Sequence, residues 1–103
     1  MKEDLNNIAM SIILNAGDAR QLINEGLDFA ENGNIESSKN SFLKADEKLV
    51  EAHRSQTKMM SLDFEEEVEL NVLFVHAMDT LMTIKMLYDI SLRLTKIILK
   101  EEK

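Results

Sequence analysis

Apolar residues recur every three or four positions along three long stretches of the chain, a spacing typical of amphipathic helices. The first stretch predicts a helix from about Asp4 to Asn32. Its apolar stripe consists of Leu5, Ile8, Ala9, Ile12, Ile13, Ala16, Ala19, Ile23, Leu27 and Ala30. Gly17 weakens the helix interior, so we expect a second helix to approach closely there and make use of it.

The sequence ENGN at 31–34 predicts a tight turn. Gly33 can adopt the left-handed conformation that ends many helices. Asn34 can then cap the next helix with its side-chain oxygen. A turn this short makes the two helices antiparallel neighbours.

The second stretch predicts a helix from about Ile35 to Met60. One face forms a heptad seam with two polar members: Ile35, Ser38, Phe42, Ala45, Leu49, Ala52, Gln56 and Met59. The following residues, SLDFEEEV at 61–68, are interpreted as a loop. Glu65, Glu66 and Glu67 would then begin the third helix, where acids interact favourably with the helix dipole.

The third helix, predicted from about Val68 to Lys100, is apolar on two sides. One stripe holds Val72, Val75, Asp79, Met82, Met86 and Ile90; the other holds Leu73, Ala77, Thr80, Ile84, Leu87, Leu94 and Ile98. Two partner helices do not cover so much apolar surface, so the pattern predicts self-association.

Composition narrows the functional classes. The 103 residues contain no proline and only three glycines, which favours one domain, residues 1–103, built from long helices. The absence of cysteine excludes disulfides and thiol catalysis. A net charge of −7 argues against nucleic acid as a partner. Because the chain carries neither a signal sequence nor a long uncharged segment, we expect a cytoplasmic protein without membrane insertion.

Candidate chemistry lies in LFVHAMDTLMT, at 73–83. Asp79 occupies a seam position, where an unpaired carboxylate is costly. If three copies of this helix met at a symmetry axis, their carboxylates would converge and require a cation, and oxygen ligands suit magnesium. His76 lies one turn earlier, with Phe74, Val75 and Ala77 as an expected apolar collar. Its imidazole can act as a nucleophile in phosphoryl transfer.

Taken alone, this signal is weak. A lone histidine in an apolar helix is most often a satisfied core or interface residue. His53, flanked by charges in EAHRSQT, is interpreted as structural, and the seven methionines as core-filling residues.

Four stretches in the right order resemble one bacterial family, the lactose/cellobiose-type IIA component of the phosphoenolpyruvate-dependent sugar phosphotransferase system. They are SIILNAGDAR, FAENGNIESSKNSFLKADEKLVEAH, EAHRSQT and VHAMDTLMT. The last two are close to the family patterns E-A-H-x-x-Q-T and H-[AG]-Q-D-H-L-M-T. Together the four stretches span nearly the whole chain.

The resemblance implies an all-α fold: an antiparallel up-down-up three-helix bundle that assembles as a trimer, hence a nine-helix bundle. It implies that His76 accepts a phosphoryl group from the histidine-containing phosphocarrier protein. His76 would then pass the group to a cysteine of the cognate IIB protein, which phosphorylates the incoming sugar. It also implies that Asp79 binds a divalent metal, expected to be magnesium, on the trimer axis.

Two departures from the family pattern leave alternatives open. Met78 replaces the usual glutamine and Thr80 replaces the usual histidine. A catalytically degenerate regulatory paralogue is one alternative. A non-catalytic three-helix module that binds a partner helix is the other. The sequence does not identify the sugar, and lactose, cellobiose and chitobiose all remain open.

Overall fold

A computed structural model describes the backbone of residues 2–66 and 72–101, and all of these residues except a three-residue turn are helical. The three helices are α1 (Lys2–Glu31), α2 (Ile35–Glu66) and α3 (Val72–Glu101). They pack into an elongated body measuring 55 × 17 × 16 Å. No helix within the described ranges has a stretch both long and apolar enough to cross a membrane.

The turn between α1 and α2 forms as the sequence predicts. Gly33 has a φ of 76°, the left-handed conformation that only glycine adopts without strain. The backbone amide of Asn34 donates to the carbonyl of Phe29 at 2.8 Å, and that of Gly33 donates to Ala30 at 3.0 Å, a Schellman motif. The side-chain oxygen of Asn34 accepts the amide of Ser37 at 3.3 Å and caps α2.

The core lies along the predicted stripes of α1 and α2. Alanines are frequent among its fully enclosed residues, so the two backbones can approach closely. The buried members are Leu5, Ala9, Ile12, Ala16, Ala19, Ile23, Phe42, Ala45, Leu49, Ala52 and Met59. The seam predictions for both helices are therefore confirmed over most of their length, although Ile35 is exposed.

Polar contacts between α1 and α2 occur in a regular order along the two helices. The Ser38 hydroxyl donates to the carbonyl of Gly26 at 2.8 Å. The Lys48 ammonium lies 3.7 Å from Asp18, and the hydroxyls of Ser11 and Ser55 are 3.4 Å apart. Positions further along α2 therefore contact positions earlier in α1. Ser38, one of the two polar seam residues, thus has its hydrogen bond satisfied inside the core.

Helix α3 packs mainly on α1 and touches α2 much less. Its contribution to the core is one narrow face, which includes Ala77, Leu81 and Ile84. Ser91 and Thr95 extend this face towards the C-terminus as buried polar residues. The remaining apolar side chains of α3 are only partly covered or face outwards.

The prediction of a loop directly after Met60 is wrong. The loop expected at 61–68 is largely helical, because α2 continues to Glu66. The segment SLDFEE contains neither glycine nor proline, so nothing in it ends a helix. Glu65 and Glu66 therefore lie at the end of α2, not at the start of α3, while Glu67 and the predicted start of α3 at Val68 lie outside the described residues.

The close helix approach expected at Gly17 occurs at Gly26. Gly17 is exposed, and a Cβ built there meets nothing within 4 Å. Gly26 is buried, and a Cβ there would lie 2.8 Å from the ring of Phe42. The Phe42 ring therefore occupies the space that a side chain at position 26 would need.

We expect Gly26→Ala to lower the free energy of unfolding by about 1–3 kcal/mol, because the buried Phe42 ring has to move. Gly17→Ala is the matched control, and it should raise stability by about 0.5–1 kcal/mol through the better helix propensity of alanine. Urea denaturation of both variants measures the difference. Equal effects of the two substitutions would contradict the close contact between Gly26 and Phe42.

Candidate functional site

His76 and Asp79 both lie on α3, and both are exposed in the single chain. Successive residues of an α-helix are rotated by about 100°, so residues three apart are separated by only about 60° around the axis. The two side chains therefore share one side of α3. Exposure excludes the interpretation of His76 as a core histidine of this chain, and leaves an interface or chemical role.

Asp79 lies nearly opposite the face of α3 that packs on the core. Around it runs an exposed apolar stripe that includes Val75, Met82 and Met86, the last two 67% and 65% exposed. Val72 and Ile90 continue this stripe in both directions and are exposed as well. The predicted stripe is thus present, with its carboxylate in the middle and without a cover from α1 or α2.

His76 lies at the edge between this stripe and the buried face. The predicted apolar collar does not form within the chain, because adjacent residues of a helix point to different sides. Ala77 is buried in the core, Phe74 packs partly against it, and Val75 faces outwards with the exposed stripe. The neighbours one turn away on the His76 side are Leu73 and Thr80, both half-buried.

A divalent cation in a protein needs several ligand atoms, most often carboxylate oxygens. Among the side chains that the structure describes, in residues 5–61 and 72–100, no group of three or more histidine, aspartate or glutamate residues is placed to hold a metal ion. Asp79 takes part in no salt bridge with any of these described side chains. One chain therefore offers a single carboxylate at this position, and a metal site there requires oxygen ligands from further copies.

Met78 lies on the other side of α3, towards α2. Its sulfur accepts a hydrogen bond from the side-chain amide of Gln56 at 3.2 Å. Gln56 is the second polar residue of the α2 seam. Its partner Met78 stands where the H-[AG]-Q-D-H-L-M-T pattern has glutamine. This contact joins the middle of α2 to α3 and is turned away from His76.

An open groove of about 590 Å³ lies between α2 and α3, on the side of α3 that faces α2. His53 and Arg54 line it from α2, and Lys85 and Asp89 line it from α3. The ring of Tyr88 also lines it and makes an edge-to-face contact with Phe42, with centroids 6.1 Å apart. The predicted seams did not reveal this groove, because most of its residues lie between the apolar stripes.

Most of the described methionines are exposed, although the sequence predicts core-filling residues. Met59 is buried and Met78 is half-buried. Met10, Met60, Met82 and Met86 are exposed, so core filling is wrong for these four. Exposed methionines are adaptable apolar contacts, and Met82 and Met86 lie in the stripe around Asp79.

Comparisons with known proteins agree on one family. Residues 7–98 match the family described as "PTS system, Lactose/Cellobiose specific IIA subunit". A lactose-specific EIIA component of Lacticaseibacillus casei is 34% identical over 89 residues, which cover 85% of this chain and 80% of that protein. The N,N'-diacetylchitobiose-specific EIIA component of Escherichia coli is 35% identical over 79% of this chain and 71% of its own length.

A solved structure shows the same fold. The crystal structure of the cellobiose-specific enzyme IIA from Bacillus anthracis superposes with a TM-score of 0.87 at 32% sequence identity. The match covers 93% of this chain and 89% of that one.

The groove gives a prediction for alkaline pH. Burial, then Asp46 and Asp89, raise the pKa of the Tyr88 phenol above its ordinary value. As pH rises above about 10, the unfolded chain loses this proton first, so the free energy of unfolding falls with pH. Tyr88 is the only tyrosine, so phenolate absorbance reports it alone. We expect its midpoint in the folded protein to exceed that in denaturant.

Tyr88→Phe is the control for the stability measurement, because it removes the titrating group and keeps the ring. Its unfolding free energy should decline less steeply than that of the unchanged protein above about pH 10. Identical slopes, or equal phenolate midpoints with and without denaturant, would contradict the raised pKa.

Proposed function

Because the chain belongs to the lactose/cellobiose-specific IIA family of the sugar phosphotransferase system, we propose that it is a cytoplasmic phosphocarrier with His76 as its phosphoryl acceptor. The donor is the histidine-containing phosphocarrier protein, and the recipient is a cognate IIB protein. The sugar is a disaccharide of the kind in the relatives' names, lactose, cellobiose or chitobiose. The observation that carries the assignment is the exposure of His76 on α3 at the motif position of the family's acceptor.

The chemistry needs a neutral imidazole that a donor protein can reach. A ring nitrogen of His76 attacks the phosphorus of the donor's phosphohistidine in line. The new N–P bond forms as the donor's N–P bond breaks, and that electron pair returns to the donor imidazole. A cysteine thiolate of the IIB protein then attacks the same phosphorus, and the bond to His76 breaks. The net result is transfer of one phosphoryl group, with His76 returned to its neutral form.

The proposal includes an antiparallel up-down-up bundle that assembles as a trimer through α3. The order of the contacts between α1 and α2 supports the antiparallel arrangement, with Gly26 near Ser38 and Ser11 near Ser55. The exposed stripe of α3 supports the assembly, because large apolar side chains such as Val72, 86% exposed, gain free energy when covered.

In such a trimer Asp79 of each copy would face the axis. Three carboxylates brought together in an apolar seam would repel one another. A divalent cation, with magnesium the expected ion, would offset most of their charge and so reduce the repulsion that opposes closure of the seam. The carboxylate oxygens of the three copies would hold it.

We expect His76→Ala to abolish phosphoryl uptake while leaving the oligomeric state unchanged, since His76 lies outside the core. The measurement is intact-protein mass after incubation with phosphoenolpyruvate, the system's first enzyme and the histidine-containing phosphocarrier protein, at mildly alkaline pH. His53→Ala is the matched control, because His53 is the only other histidine and is also exposed. It should still gain one phosphoryl group.

Two results would overturn the acceptor assignment. One is uptake that persists in His76→Ala; the other is uptake that disappears only in His53→Ala. No uptake by the unchanged chain, with partner proteins that phosphorylate another IIA protein, would favour the degenerate paralogue. A monomeric chain that binds an amphipathic helix and gains no phosphate would favour the interaction module.

For Asp79→Leu we expect a trimer that no longer binds metal, because leucine completes the apolar seam. Calorimetric titration with magnesium and analytical ultracentrifugation measure the two properties. Asp89→Leu is the control, since Asp89 also lies on α3 but lines the groove facing α2. It should keep the metal. Full metal occupancy in Asp79→Leu, or metal loss in Asp89→Leu alone, would contradict the assignment of Asp79.

A further inference from the structure

A second, smaller pocket lies between the first turns of α2 and the C-terminal half of α3. Its volume is about 320 Å³, at the lower end of the range of about 300–1,000 Å³ for small-molecule sites. The walls are apolar: Phe42 from α2, and Tyr88, Leu92 and Leu99 from α3. Phe42 is buried, and Leu92 and Leu99 are half-buried, so these walls belong to the packed body of the protein.

One polar group inside this pocket lacks a partner. Thr95 is only 8% exposed, and its hydroxyl makes no hydrogen bond among the described residues. Buried hydroxyls are normally bonded, and a helical threonine can bond the carbonyl four residues earlier. The hydroxyl of Ser38, which also lines this pocket, already donates to the carbonyl of Gly26 at 2.8 Å. The Thr95 hydroxyl is therefore a donor without a partner at the wall of the pocket; its oxygen has less than 1 Å² of exposed surface, so a bound molecule reaches it by a turn of the Thr95 side chain about χ1.

The rim of the pocket is positive. Lys39 of α2 and Lys96 of α3 both line it and both are exposed, and none of the lining residues that the structure describes is acidic. The chain as a whole has a net charge of −7, so two lysines without an acid among the described lining residues of an apolar pocket are a local exception. The larger groove next to it differs in this respect, since Asp46 and Asp89 line that groove together with Arg54 and Lys85.

We propose that this pocket binds a small amphipathic carboxylate. The hydrocarbon body packs against Phe42, Leu92 and Leu99. One carboxylate oxygen accepts the hydrogen bond of the Thr95 hydroxyl, and the other interacts with the ammonium groups of Lys39 and Lys96. A neutral apolar ligand would leave both the hydroxyl and the lysines without partners.

The site is separate from His76 and does not depend on the proposed phosphoryl transfer. Tyr88, the nearest pocket residue along α3, is twelve positions beyond His76, which is about 18 Å along the helix axis. The pocket residues of α3 are also rotated by about 100–160° from His76. The pocket therefore faces α2, away from the exposed stripe around Asp79.

Octanoate is a suitable probe, because it combines a carboxylate with a hydrocarbon chain. Tyr88 lines the pocket, and the chain contains no other tyrosine and no tryptophan, so its fluorescence reports binding directly. Octanol, with the same chain and no charge, and acetate, with the charge and no chain, are the comparison ligands. We expect saturable binding of octanoate, at least tenfold weaker binding of octanol, and none of acetate. Octanoate and octanol binding equally well would overturn the proposal.

Substitutions at the pocket test whether octanoate binds there. Lys39→Gln with Lys96→Gln should weaken octanoate binding at least tenfold, while Lys44→Gln, an exposed lysine of α2 outside both pockets, should not. Thr95→Val should also weaken binding. It should raise the melting temperature of the ligand-free protein, because it removes a buried hydroxyl without a partner.

The competing site is the larger groove. If Arg54→Gln with Lys85→Gln weakens octanoate binding and the Lys39 and Lys96 variants leave it unchanged, the ligand binds there and the proposal is wrong. Absence of any saturable change with octanoate, in a chain that remains helical and folded, would overturn it as well.

Discussion

Apolar side chains occupy more of the circumference of α3 than α1 and α2 can cover. One narrow face, with Ala77, Leu81 and Ile84, completes the core. The opposite stripe, with Met82 and Met86, stays exposed. The predicted apolar stripes of α1 and α2 are mostly buried against each other, and exposed large apolar side chains such as Leu14 and Leu43 are fewer on each of these helices than on α3 among the described residues. The three sides of α3 differ for this reason: one packs on the core, one faces the groove beside α2, and one is left exposed.

The turn and the seams could be predicted because each depends on a local signal. Gly33 adopts a conformation that few other residues tolerate, and Asn34 supplies the cap within three residues. The end of α2 could not be placed in this way. Acids near a helix start gain only about 0.3–1 kcal/mol each, and this preference placed Glu65 and Glu66 wrongly. Without glycine or proline, each further residue of a helix adds a hydrogen bond, and α2 continues.

At the candidate site, too, some features could be predicted from the sequence and others could not. Periodicity alone indicated that Asp79 lies within an apolar stripe of α3, which the fold bears out. The roles proposed for His76 and Asp79 were only weakly indicated by the residues themselves and became specific through the resemblance, since spacing does not distinguish an acceptor from an interface histidine. The pockets between α2 and α3 depend on how far apart those helices stand. That distance depends on side chains such as Tyr88 and Phe42, which meet only in the folded chain.

The two departures from the family pattern are not equivalent. Met78 is rotated by about 200° from His76 and bonds to Gln56 of α2, so its replacement of glutamine changes the junction between α2 and α3. Thr80 lies one turn beyond His76 on the same side, and it is half-buried. A histidine there would place a second titratable ring beside the imidazole, whereas threonine offers only a hydroxyl. The departure that bears directly on His76 is therefore Thr80, because it changes the polar and titratable groups beside the imidazole of the proposed acceptor.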